Sequence, residues 1–211
     1  MATTVTKIVN LGLTAIGAER ISSIDGTDAK SVLANELWDT VRDNVLADPE
    51  ANWSVAVRRA ELAQLDVDNY TPFDYVYQLP ADPRCLRVIG LVDPTNEYAD
   101  IDASQAKYMI EGRSLYYDGD RCAIKYVAQI EDVTLLDPLL VYAMAYAMAA
   151  AMAFKLTQSH ENEEYALRLY RSKRMEAAGA DAAHRWQGYT ESTSFRDVSI
   201  GNHPTRQRFY E

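Results

Sequence analysis

The chain has 211 residues, enough for one or two domains and for a core that needs no disulfide staples. Hydrophobic residues make up 48% and charged residues 25%, which excludes collagen-like, disordered and disulfide-scaffold classes. Lys and Arg number 21 against 31 Asp and Glu, and the resulting net charge of −10 repels phosphate. That argues against affinity for nucleic acid or an anionic membrane surface.

Met1 to Lys7 has no basic segment followed by an apolar run, so no secretory signal is read there. Val5, Ile8, Val9, Ala15 and Ile16 make the apolar stripe of a first helix that ends at Gly17. Asp28 is the expected N-cap of a second helix, with Leu33, Leu37, Trp38, Val41 and Val45 on its apolar face and Asp48-Pro49 as its stop. A shorter third helix is expected at Trp53, carrying Val57, Ala60 and Leu62.

The period then changes. Phe73, Tyr75, Tyr77 and Leu79 alternate with polar residues, as a half-buried strand requires, and Leu86 to Val92 reads as a second strand. Lys107–Tyr117 and Arg121–Gln129 are expected to face each other as a hairpin across Asp118-Gly119-Asp120, with Cys122, Ile124, Tyr126 and Ala128 on one face. Cys85 and Cys122 read as small buried side chains. The acidic segment 93–104 reads as a loop.

Asp137 as cap and Pro138 at the first helical position open a helix of about twenty residues. Its seventeen uncharged residues, Pro138 to Phe154, include seven alanines. That is short of the ~20 predominantly apolar residues of a membrane span, so a buried, closely packed helix is expected. After the polar break Thr157–Asn162 a last amphipathic helix carries Tyr165, Leu169 and Met175. The fold class is α+β: a bundle of about four to five helices with an inserted small antiparallel β module and an extended C-terminal arm. The divisions are 1–66 for the N-terminal helices, 67–132 for the β module, 133–188 for the closing helices and 189–211 for the arm.

Catalytic signatures are missing from the sequence. The nine glycines form no phosphate-binding loop, no GxSxG elbow occurs, and His160, His184 and His203 lack ligand spacing. No catalytic residue, cofactor or metal ligand is assigned. Asp118 and Asp120 read as turn residues and Asp100 and Asp102 as a solvated acidic loop. Paired carboxylates of this kind leave a glycan hydrolase as the alternative from another class. Fourteen tyrosines point to core and interface packing. In the arm, Phe195, Arg196, Arg206, Arg208, Phe209 and Tyr210 are the aromatic and arginine types that anchor binding segments.

Five motifs in order carry a family resemblance. They are Val9-Asn-Leu-Gly-Leu-Thr-Ala-Ile-Gly-Ala-Glu-Arg-Ile21 with Ser23-Ile-Asp25; Trp38-Asp-Thr-Val-Arg-Asp43; and Asn52-Trp53-Ser-Val-Ala-Val-Arg-Arg-Ala-Glu-Leu62. Then come Tyr77-Gln-Leu-Pro-Ala-Asp82 with Cys85-Leu-Arg-Val88, and the alanine-rich helix ending Lys155-Leu-Thr157. Over residues 5 to 175 the chain resembles the tail tubular protein A-like head–tail adaptors of short-tailed phages. Asn52 stands where that family commonly has proline, and Pro83 and Arg84 are extra. The resemblance implies a non-enzymatic virion protein at the head–tail junction, assembled in the host cytoplasm. It would form a dodecameric homo-oligomeric ring between the portal protein and the tail nozzle protein, through which DNA passes without specific binding. A head-completion gatekeeper or tail terminator ring is the alternative of the same class.

Overall fold

The structure, a computed structural model, describes residues 3–96, 99–102 and 106–185. It is an α+β fold of four α-helices and two small antiparallel sheets. Helix α1 (Val5–Ala15) starts at Thr4, whose hydroxyl accepts the Lys7 N–H, and ends at Gly17 with φ +71°. Helix α2 (Ala29–Leu46) is capped by Asp28, which accepts the Ser31 N–H. Of the first stripe expected from the sequence, Ile8, Val9 and Ile16 are buried and Val5 and Ala15 half-buried; of the second, Trp38 and Val45 are buried and Leu33, Leu37 and Val41 half-buried.

The third helix expected at Trp53 does not form. A turn at residues 54–56 leads into strand β1 (Val57–Glu61), which pairs antiparallel with β8 (Ala123–Ala128), Val57 opposite Val127 and Glu61 opposite Ala123. The spacing of Val57, Ala60 and Leu62 fits a short helix, but the ladder offered by a central strand overrides so short a periodicity. Trp53 becomes an anchor instead: it is 2% exposed, and its indole N–H donates to the Val45 carbonyl at 2.7 Å.

The remaining strands are β2 (Gln64–Leu65), β3 (Tyr75–Gln78), β4 (Cys85–Asp93), β5 (Ala99–Asp100), β6 (Met109–Glu111) and β7 (Ser114–Tyr117). Sheet A runs β1-β8-β4-β5 and sheet B runs β2-β3-β7-β6. The hairpin expected across Asp118-Gly119-Asp120 is therefore absent, and that turn carries the chain from sheet B to sheet A. Residues 107–117 instead fold on themselves, β6 against β7, around Gly112 at φ +58°. A two-residue turn needs positive φ, which glycine supplies without strain. Asp-Gly chemistry marks a reversal of direction but does not say which strand the chain pairs with next.

Sheet A is the middle layer. Cys122, Ile124, Tyr126 and Ala128 meet Tyr77, Leu79 and Leu115 of the sheet B side in one core cluster. Val127, Leu86 and Ile89 join the helical cluster instead. Within that cluster, α3 (Pro138–Thr157) opens at Asp137, which accepts the Leu139 N–H at 2.8 Å. It buries Met144, Ala145, Met148 and Met152 completely and contacts α1, α2 and α4 (His160–Arg185). By length and composition α3 could cross a membrane, yet half of its apolar window is buried inside the fold. A Cβ on Gly12 would run into the Ala145 carbonyl, so α1 and α3 cross backbone to backbone.

Candidate functional site

The polar residues that converge lie where helices and sheets join. Arg87 leaves β4 and donates from Nε to the Ala47 carbonyl at 3.0 Å. Its Nη2 donates to the carbonyls of Asp48 at 3.0 Å and Ala51 at 3.4 Å, and to Asn52 Oδ1 at 2.6 Å. One guanidinium thus satisfies most of the loop that follows α2, using the planar fork that a lysine lacks. Asn52 supplies one of the acceptors. Pro83 and Arg84 fall in a tight turn where Ala81 bridges Arg84.

Asp48, 8% exposed, sits at the centre. Its Oδ1 accepts the Glu50 N–H and its Oδ2 lies 2.7 Å from Arg174 Nη1 on α4. Arg174 also reaches Glu50 Oε2 at 2.5 Å. The Asp48 and Glu50 carboxylates strengthen the hold of this guanidinium on its proton. Nearby, Arg42 is 6% exposed and pairs with Asp39 and Asp43, each at 3.0 Å. Asp43 in turn accepts from Gln129 Nε2 at 2.7 Å, and the Gln129 N–H donates to the Arg84 carbonyl. Among the described residues no buried side-chain polar atom is left without a partner. Fully satisfied networks of this kind rigidify a fold.

One member of each carboxylate pair is engaged elsewhere. Asp100 is pulled below the ordinary carboxylate range by the Lys125 ammonium at 2.6 Å and then by Arg59 at 3.2 Å. Asp118 accepts the Asp74 N–H at 3.1 Å. Burial pushes the Cys122 thiol up to about 12 and raises that of Cys85, so neither is a thiolate near neutral pH. Tyr77 is also pushed up to about 12, first by burial, and its hydroxyl donates to the Gly119 carbonyl. Among the described residues no group of three or more His, Cys, Asp or Glu is arranged to hold a metal ion.

An open groove of about 650 Å³ lies between the start of α3 and the end of α4, lined by Trp53, Leu135, Pro138, Ala177, Asp181 and His184. Ser54 lies in it, but its hydroxyl donates directly to Asp181 with no imidazole between them, which is not the arrangement that activates a serine. The six candidate arm residues, Phe195, Arg196, Arg206, Arg208, Phe209 and Tyr210, lie outside the described residues. Sequence reasoning missed Arg87, Asp48 and Arg174 as partners. One signal was available: an arginine between Leu86 and Val88 in an apolar strand must find acceptors. The chain matches no known family model and no curated protein.

Proposed function

We propose that the chain is a structural virion protein, a ring-forming adaptor that joins the portal to the tail and forms part of the DNA ejection channel. The observation that carries this reading is where the family-like motif residues go. Asn52 and Trp53 of one motif and Arg87 of another join the end of α2, the loop after it and β4, and Asp43 of a third is tied through Gln129 to the Arg84 carbonyl ahead of β4. A ring that transmits load between two larger assemblies needs subunits of fixed internal geometry, and a saturated buried network provides it. In this reading the four helices are a bundle, the two sheets are its inserted module, and residues 189–211 are an arm that docks on the portal or a neighbouring subunit. The acidic balance suits a conduit that DNA passes without adhering.

The hydrolase alternative draws little support, because Asp100 is held ionised by two cations and Asp118 is occupied by a backbone N–H. The test is to mix the full chain with purified portal protein and image the product. A closed ring with one copy per portal subunit is expected. A stable complex of any other stoichiometry, or no complex at all, overturns the reading. A ring that binds the tail and ignores the portal would favour a tail terminator.

A further inference from the structure

The groove between α3 and α4 lies at the point where the described residues end. One wall is the last part of α4, which presents Ala177, Ala180, Asp181 and His184. These positions recur at helical spacing, so they make one continuous stripe. The facing wall is the start of α3 and the turn before it. There Leu135 is 56% exposed, Pro138 is exposed and Leu139 is half-buried. The groove is thus apolar surface open to solvent, with a carboxylate on each wall. Asp181 accepts the Ser54 N–H. Asp137 is exposed and forms no ion pair among the described residues.

The way the chain continues limits what can cover this surface. Residues 186–211 follow directly from the α4 wall. From Ala177 to His184 that wall is about 10 Å long, at a rise of about 1.5 Å per residue. Phe195 stands about ten residues past Arg185, and an extended chain covers about 3.3 Å per residue. It can turn back at Gly188, a residue type that reverses a chain without strain, and still reach either end of the groove. The pair Phe195-Arg196 has the matching chemistry. An aromatic ring suits the surface of Leu135 and Pro138, and a guanidinium beside it suits Asp137. A short tether holds such a segment at a local concentration of about the millimolar level, against which the arm of a second copy at micromolar concentration competes poorly. Phe209 and Tyr210 are similar in type but hang on a longer tether.

We infer that the groove is the docking site of the chain's own C-terminal arm: Phe195 seats against Leu135 and Pro138, and Arg196 meets Asp137. The contact forms within a single free subunit and fastens the end of the chain to the start of α3. It does not rest on the ring reading, and its test needs no portal.

Photocrosslinking provides that test. Full-length protein carrying Phe195→p-benzoyl-phenylalanine is irradiated at micromolar concentration, and the monomer band is digested and sequenced. The expected product joins position 195 to residues 135–139 or 177–184 of the same chain, with a yield that dilution does not change. Leu135→Glu, at an exposed position, is expected to lower that yield about tenfold by placing a charge under the ring. Arg196→Glu should lower it about threefold, as for an exposed ion pair. The same probe at Phe209 should give about fourfold less of the groove product. Hydrogen exchange supplies a second reading: with Phe195→Ala and Arg196→Ala together, amides of residues 134–140 should exchange several-fold faster while those of β8 stay as they were. A product that forms only between copies, a product on another surface, or a stronger groove product from position 209 overturns the inference. So does the absence of any groove product from position 195, or unchanged exchange at residues 134–140.

Discussion

Arg174 and Asp48, 126 residues apart in sequence, meet at 2.7 Å and fasten α4 to the loop that ends α2. The carboxylate is nearly buried, and this guanidinium is its cationic partner. Breaking a buried pair from one side leaves an uncompensated charge, which costs about 3–5 kcal/mol. Arg174→Met is expected to fall near the low end of that range, since one edge of the guanidinium reaches the exposed Glu50. The double variant with Asp48→Asn should lose less than the sum of the singles. Urea unfolding of the four proteins measures the coupling, and strict additivity would show that the pair is not connected.

Arg87 makes a sharper case, because three of its four acceptors are backbone carbonyls that remain whatever side chain replaces it. Arg87→Ala is expected to cost about 2–4 kcal/mol through the unsatisfied acceptors. Arg87→Lys should recover less than half of that, since an ammonium cannot span the same fork. The thermal midpoints of both variants check this; full recovery by lysine would assign the effect to charge alone.

Two glycines should respond in opposite directions. Gly12→Ala drives a methyl group into the Ala145 carbonyl at the α1–α3 crossing and is expected to destabilise by about 1–3 kcal/mol. Gly179→Ala meets nothing within 4 Å on the exposed side of α4 and is expected to stabilise by about 0.5–1 kcal/mol. Denaturation midpoints measured side by side would reveal any failure of this contrast.

Asp100 gives a pH dependence of known sign. Its folded value lies below the ordinary 3.8, chiefly through Lys125, so its contribution is present above that pH and is lost as pH falls through the folded value. Asp100→Asn should therefore lower the melting temperature slightly at neutral pH and not at all in strong acid. The effect is small because the carboxylate is more than half exposed. A difference that persists unchanged in acid would mean that the aspartate acts through its shape.

Both thiols are expected to resist labelling in the native state. Cys85 and Cys122 are buried and held protonated, and nucleophilic attack requires an exposed thiolate. A thiol reagent at neutral pH should react with both only after unfolding. Fast native labelling of either residue would contradict its burial.

The helices could be read from the sequence because their ends carry local chemistry: Asp28 and Asp137 cap where they stand, and Gly17 stops where it must. The strand face Cys122, Ile124, Tyr126 and Ala128 was equally legible, since alternation in a central strand is strict. What failed depended on distant partners. Val57–Glu61 is a strand only because β8 lies beside it, and the turn at Gly119 separates two sheets only because β1 and β4 claim β8 first. The joint was missed for the same reason. Asp48 acts locally as a helix stop, and only the return of α4 gives it a cation.

The central position of α3 also governs the order of events during synthesis. Helices α1 and α2 each rest mainly on α3, which leaves the ribosome only after all eight strands have been made. Until then Ile8, Leu13, Trp38 and Val45 have no lasting shelter, whereas the inter-sheet cluster draws on residues 60–128 alone. A nascent chain can therefore complete its sheets while its first two helices wait in a loose, sticky state. The N-terminal apolar stripe of this chain is thus among the last parts to settle.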